Sequence, residues 1–431
     1  VVNRRELLRG TASASALLLA FGCGNQAQNV RRDQEGRADV RAWLRDAVEQ
    51  LAGAYPAVHA LAVLRQRTTA ALDVIGMGVA RTRRDGVVLA VRDASGRSRE
   101  QVTHDLSASG IAAAVKALAP GKRKSIAPIP APPAPATPKQ LVDAELRDRL
   151  ERIAKLDGTL DSRVFYSATL LDIDDATVWS ISPGHDREQR NARIRTRVVR
   201  AVWNGSRPVV SERELAWTGG IDDRAFDAEL VTATTRAALQ ITTPGAFEDK
   251  ARAIVLDPSV TATLVDAGVR ALLTSTAAQR PEVGKRLALG ATLAAPLITL
   301  TDDPTARGAY GGFQFDDAGE LAGPQPLVKG GRVVGTLAQG RGRRPGHLGP
   351  IAPASSHLRI TAGTAPAQSL RTDGMVLEGG LAASVDASSG RVVLVIARAR
   401  EVRKGEATGR VYADVELVGD LRALLGAVDG V

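Results

Sequence analysis

Ile254–Leu273 reads IVLDPSVTATLVDAGVRALL, and Leu297–Asp317 reads LITLTDDPTARGAYGGFQFDD. The first stretch is a short apolar strand, Arg252–Leu256, that stops at Asp257-Pro258-Ser259. Proline is tolerated in the first turn of a helix, where its missing N–H is not needed. An aspartate just before it can accept a hydrogen bond from a free N–H of that turn. The pattern therefore predicts a helix over roughly Val260–Thr274, capped by Asp257. After Asp302-Asp303-Pro304 the chain turns Gly-rich, with strands expected near Arg332–Leu337, Leu358–Thr361, Arg391–Arg398 and Arg410–Val418. A helix set between one strand and a run of strands is the order of an α+β unit.

Working back toward the N-terminus, Val40, Trp43, Leu44, Ala47, Val48 and Leu51 recur at helical spacing, so Ala38–Leu51 is read as a helix. Ala60–Leu64, Ala71–Ile75 and Gly86–Val91 read as three short strands, and Gln101–Leu118 as a helix. Ala119–Pro138 holds seven of the 21 prolines and reads as an extended linker or surface loop. It need not divide independent domains, because strand-like runs in Val164–Arg200 can join the earlier sheet. Arg195–Val202 and Val209–Ala216 read as neighbouring strands turned by Asn204-Gly205. Ala225–Leu239 reads as a further helix. The expected organisation is a mixed α/β domain over 38–240 carrying the Pro-rich loop 119–138, then a β-rich domain over 250–431.

The two opening stretches together resemble the TldD/PmbA family of zinc-dependent peptidases and their metal-free partner subunits. The resemblance continues through Phe313–Gly319 (FQFDDAG), Leu327–Leu337 (LVKGGRVVGTL), Pro353–Gly363 (PASSHLRITAG), Asp373–Gly380 (DGMVLEGG), Val385–Val393 (VDASSGRVV) and Val411–Leu425. It covers about residues 40–430 and is specific from Val255 onward. It implies an α+β fold with an N-terminal mixed α/β domain and a β-rich C-terminal domain. In metal-binding members the helix after the VLDPS-like strand end carries HExxxH, and a cysteine near the C-terminus completes the site.

No register of this chain supplies that motif. Starting at Val265 gives Val265-Asp266-Ala267-Gly268-Val269-Arg270; starting at Asp266 ends on Ala271. No histidine lies between His185 and His347, and the one cysteine, Cys23, is at the other end of the chain. A catalytic zinc takes about three N, S or carboxylate ligands and leaves one position open for water. Valine and alanine donate nothing, and an arginine one turn after Asp266 opposes a divalent cation. The resemblance thus implies a member without metal of its own: a non-catalytic subunit beside a zinc-bearing homologue, or a peptide-binding pseudo-peptidase. An active peptidase with a non-standard site and a structural envelope-binding protein are the alternatives. The implied partners are the zinc-bearing homologue in a heterodimer, or a second copy in a homodimer, and peptides.

The paired carboxylates Asp302/Asp303 and Asp316/Asp317 raise the question of acid–base work. Each pair sits next to Pro or Gly, where aspartates cap turns. Arg341, Arg343 and Arg344, just before His347, form a dense basic cluster and are candidates for holding a peptide carboxylate or other anion. His357 is ten residues from His347, without a carboxylate or cysteine at ligand spacing. No G-x-S-x-G elbow, Walker A loop or G-x-G-x-x-G occurs.

The net charge is +10, but arginines alternate with acids, as in Arg147–Arg152 (RDRLER), which reads as a solvated mixed surface and not as a nucleic-acid face. Asn3–Arg9 (NRRELLR) is a twin-arginine pattern followed by an apolar run, Ala12–Phe21, too short to span a bilayer. Residues 1–23 are therefore expected to be an export signal. Gly22-Cys23 resembles a lipoprotein cleavage site, which makes Cys23 the candidate for lipidation and the only route to the membrane. A single cysteine excludes an intramolecular disulfide. The expected location is the periplasm or its membrane surface.

Overall fold

Alternation with a period of two builds the first sheet. The computed structural model describes residues 32–431 except 74, 120–142, 158–160, 205–206, 220–227, 242–252, 275–276, 278, 285–286, 338–341, 344–347, 349–351, 365, 367–368 and 371–372. The expected export segment with Cys23, and all but the first residue of the Pro-rich stretch, lie outside the described residues. In β1 (Ala57–Asp73), Ala60, Ala62 and Leu64 point to one face and Leu61 and Val63 to the other. Apolar rows on both faces mark a strand covered from both sides.

β1 pairs with β2 (Met77–Arg92) and β4 (Val164–Ser182); β3 (Ser98–Thr103), β5 (His185–Asn204) and β6 (Arg207–Thr218) complete an antiparallel sheet in the order β3-β2-β1-β4-β5-β6. The strands expected at Ala60–Leu64 and Ala71–Ile75 are one strand. Arg65 and Arg67 carry it through because Asp174 and Asp172 of β4 neutralise them from across the sheet. Ile75 falls in the turn beyond the strand end, fully exposed. The helix expected over Gln101–Leu118 begins later: Gln101 is in β3, and α2 (Ala108–Leu118) starts after Ser107, whose hydroxyl accepts from Gly110 N at 3.1 Å. β5 and β6 pair as the neighbouring strands expected, with Asn204 opposite Arg207, while Gly205 of the expected turn lies outside the described residues.

All the helices of this half lie on one face of the sheet. α1 (Arg32–Ala52) and α2 bury Val40, Leu44, Ile111 and Val115 against Ala60, Ala62, Val87, Leu89 and Ile181. α3 (Asp143–Asp157) and α4 (Ala228–Leu239) bury Leu146, Leu150, Ile153 and Val231 against Ala70, Leu171, Ile194, Val198 and Trp217. The opposite face is left for the C-terminal half. Among the described residues, no helix is long and apolar enough to cross a membrane.

In the C-terminal half, β7 (Ile254–Leu256) pairs in parallel with β14 (Gly374–Val385), and β15 (Arg391–Arg403) and β16 (Glu406–Asp420) extend that sheet as β16-β15-β14-β7. α5 (Pro258–Leu272) covers it, with Val260, Leu264, Val269 and Leu272 on Val392, Leu394 and Ile396. Asp257 caps α5 as expected, its carboxylate accepting from Val260 N at 2.8 Å. Ser259 Oγ accepts from Gly379 N and Gly380 N, both at 3.1 Å. A Cβ at Gly380 would stand 2.5 Å from Thr263 Oγ1 and 2.7 Å from Ser259 O, so only glycine lets the strand pass this close under the helix. A second small sheet, β10-β9-β8-β13, contains Arg332–Val333, Gln325–Lys329, Leu300–Asp302 and Leu358–Ile360. The strand expected near Arg332–Leu337 is short because the chain leaves the ladder after Val333, and Leu337 forms only an isolated bridge to Thr274.

Candidate functional site: the α5 wall and the seam against the first sheet

Packing against β14 and β15 fixes how α5 presents its residues. Ala267 is buried and Val265 and Ala271 are half-buried, packed toward the core. Asp266 and Arg270 point outward, one turn apart, with Arg270 Nη2 2.6 Å from Asp266 Oδ2. The other carboxylate oxygen of Asp266 accepts from Ser355 Oγ at 2.9 Å. Both side chains are well exposed, at 40% for Asp266 and 64% for Arg270, so the pair adds little to stability. It matters for chemistry instead. The only potential ligand on this face of the helix is already satisfied by a hydroxyl and a guanidinium, and a divalent cation there would lie beside a fixed positive charge. Among the described residues, no three His, Cys, Asp or Glu side chains come together as a metal-binding group. The donor set on α5 does not fit zinc.

Ser355 belongs to a loop that the paired aspartates hold in place. Asp302 is buried and accepts from Ser356 N at 2.9 Å, Ser356 Oγ at 2.9 Å and His357 N at 2.8 Å. The Thr305 hydroxyl and amide hold the Asp303 carboxyl below the usual carboxylate range. Asp316 accepts from Ala318 N at 2.9 Å and Glu320 N at 3.0 Å within its own turn. These carboxylates organise backbone, as the turn reading expects. Arg343 lies in β11 (Gly342–Arg343), paired with β12 (Ala352–Pro353), whose last residue is two before Ser355. Arg341, Arg344 and His347 lie outside the described residues. His357 is tied to Asp302 through its backbone.

The second part of the site is a seam that sequence reasoning missed. Residues 310–320 lie across the helix-free face of the first sheet, and alternate residues of β5 grip their backbone. Gln189 Nε2 donates to Phe315 O at 2.9 Å, while its Oε1 accepts from Gln314 N at 2.8 Å. Arg187 donates to Gly319 O, and Arg193 donates to Gly312 O at 3.3 Å. Phe315 enters an apolar patch made by Leu61, Val88, Val178 and Leu348. Under Gly319 lie His59, Ser180, Ser182 and His185. Ser180 Oγ is 2.9 Å from Nε2 of both histidines, and Ser182 Oγ is 2.9 Å from His185 Nδ1.

Beyond Tyr310 the same face carries a charged floor. Arg65 Nε donates to Asp174 at 2.6 Å; Arg195 at 2.7 Å and Thr69 at 2.8 Å converge on Asp172 together with Arg67. Burial works against the Asp172 anion, but the hydrogen bonds from Arg67, Arg195 and Thr69 hold its pKa below the usual range. Burial pushes Glu214 up, against the pull of Arg195 and Arg197, and it pushes the Tyr310 phenol up as well. Only alternation of charge along β4 and β5 could have signalled this floor, and that alternation also fits an ordinary solvated face.

Residues 249–431 match the family described as the PmbA/TldA metallopeptidase C-terminal domain. No curated protein matches the chain in sequence. Solved structures of the same fold include a proposed DNA gyrase modulator from Thermotoga maritima, with a TM-score of 0.72 at 14% identity, covering 92% of this chain and 94% of that one. Another proposed gyrase modulator, from Bacteroides thetaiotaomicron, gives 0.69 at 16% identity over 91% and 93% of the two chains. TldE from Thermococcus kodakarensis gives 0.69 at 16% identity over 92% and 94%. Residues 249–431 thus match the PmbA/TldA metallopeptidase C-terminal domain, and the chain as a whole shares the fold of these TldE and gyrase-modulator structures.

Proposed function

We propose that this protein is a zinc-free TldD/PmbA subunit that binds peptides and forms one wall of a shared cleft beside a zinc-bearing homologue. The observation that supports this reading is the Asp266–Arg270 pair on α5, the helix on which the resemblance implies HExxxH in catalytic members. The backbone of Arg343 pairs with Ala352, close in sequence to Ser355, and a basic stretch of this composition is suited to the carboxylate of a peptide. The twin-arginine pattern at Arg4-Arg5 and the lone Cys23 support export and attachment to the outer side of the membrane by lipid.

The test is co-expression with a zinc-bearing homologue, followed by co-purification, metal analysis and a peptidase assay on each chain and on the pair. This chain alone is expected to retain no stoichiometric zinc after dialysis, and chelators are expected to leave its melting temperature unchanged, because a natively bound metal would stabilise it by linkage. Peptidase activity is expected from the pair only, and lower when Arg341, Arg343 and Arg344 become Ala. About one zinc per isolated chain, or full activity from this chain alone, would overturn the reading. A homodimer that recruits no homologue would overturn the heterodimer. Export is checked separately: Arg4→Lys with Arg5→Lys keeps the charge but is expected to stop translocation, and unchanged localisation would refute the signal.

A further inference from the structure

We propose that a cavity at the C-terminal end of α5 binds a free apolar α-amino acid, with the side chain inside and the two charged groups at the mouth. The cavity has a volume of about 450 Å³, within the range of small-molecule sites. α6 (Pro281–Gly284), α7 (Leu421–Gly426), residues 287–294 and the turn between β14 and β15 close around it. It shares no residue with the outer face of α5 or with the seam, and the inference does not rest on the peptide-binding reading.

The floor is apolar. Leu272, Val283, Leu287, Leu293 and Leu421 line it, and each is buried. Backbone hydrogen bonds set the walls without help from a ligand. Leu293 N and Ala294 N donate to Gly331 O at 2.8 and 3.1 Å, Ala295 N donates to Leu425 O at 2.9 Å, and Leu421 N donates to Gly390 O at 2.9 Å. A preformed apolar cavity takes an apolar guest with little ordering of its own walls.

The mouth carries one charge of each sign. Arg422 is exposed; its Nη2 donates to Thr292 O at 2.8 Å, and among the described residues no carboxylate pairs with it. Asp420 Oδ1 accepts from Ala423 N at 2.8 Å, and among the described residues no cation pairs with that carboxylate. The two line the same cavity without pairing with each other. Ser389, also at the mouth, is committed to its own turn: its Oγ donates to Asp386 at 2.9 Å and accepts from Arg391 N at 3.2 Å.

This pairing of signs selects the guest. A fatty acid would bring its carboxylate to Asp420 as well as to Arg422, and an alkylamine would bring its cation to Arg422 as well as to Asp420. Like charges brought together disfavour the charged form. A zwitterion meets both groups with the right sign. Its carboxylate accepts from Arg422, its ammonium donates to Asp420, and both bonds are of the strong, charge-assisted kind. A side chain of leucine or phenylalanine size then fills a floor built from leucines and a valine.

The test is isothermal titration calorimetry of the full chain with L-leucine and with L-phenylalanine. At least one is expected to bind saturably, with a Kd below about 1 mM. The amide of that amino acid lacks the carboxylate and its N-acetyl form lacks the ammonium; each is expected to bind at least about tenfold more weakly. Arg422→Gln is expected to lose the preference for the free acid over the amide. Asp420→Asn keeps a side chain that can cap α7 and is expected to lose the preference for the free amine over the N-acetyl form. Ala423→Trp, at an exposed position of the rim, is expected to abolish binding. Circular dichroism confirms that each variant is folded; if one is not, the others carry the test. No saturable binding of either amino acid, equal affinity for the derivatives, an unchanged preference in a folded charge variant, or full affinity in folded Ala423→Trp would overturn the proposal.

Discussion

Asp186→Ala is expected to destabilise the protein by about 3–5 kcal/mol, the loss typical of breaking a buried ion pair from one side. The Asp186 side chain is 2% exposed between α1 and the first sheet. It takes Arg41 Nη2 at 2.7 Å, Arg41 Nε at 3.1 Å and Arg45 Nε at 2.6 Å, and Glu188 holds the remaining side of Arg41. Removing the carboxylate leaves two guanidiniums with one acid, out of water, under the helix. The energy at stake is that of the stranded charges and not the net worth of the pair. Asp186→Leu combined with Arg41→Met should therefore recover most of the loss, since well-packed apolar replacements of buried pairs are often neutral. Denaturant unfolding measures both. A loss under about 1 kcal/mol for the single variant would show that α1 is held by its apolar face alone.

Phe315→Ala is expected to cost about 3–5 kcal/mol, in the range of large aromatic truncations that leave a cavity. Phe315 is 2% exposed and is the main apolar contact of residues 310–320 with the first sheet, where it meets Leu61, Val88 and Val178. The Gln189 bonds to the backbone on either side of it should survive, because they do not involve the ring. The variant should thus remain folded but open along the seam, with faster proteolysis near residues 313–320. Leu61→Ala in the same background tests the contact, since touching residues couple by about 0.5–3 kcal/mol. Strict additivity of the two losses would mean that Phe315 is not seated where described.

What could be read from the sequence was local. The cap at Asp257, the first-turn Pro258, the spacing of Val40, Leu44 and Leu51, and the aspartate turns all depend on neighbours a few residues away. What escaped reading depends on partners far along the chain. Gln189 and Phe315 are 126 residues apart, and no pattern around either announces the other. The same holds for His59 and Ser180, 121 residues apart. Arg65-Gln66-Arg67 looked like an interruption between two strands because its neutralising aspartates sit on β4, more than 100 residues later. On α5 the sequence showed Val265, Asp266 and Arg270 and no histidine. It could not show that Arg270 folds back on Asp266, because that depends on which face the helix turns outward.

The contacts that seat α5 have a consequence for how freely its outer face can change. The helix is fixed by Asp257, by Ser259 on Gly379 and Gly380, and by buried Val260, Leu264, Val269 and Leu272. Asp266 and Arg270 take no part in that seating. The side chains at these two positions are accordingly free to change their chemistry without renegotiating the architecture beneath.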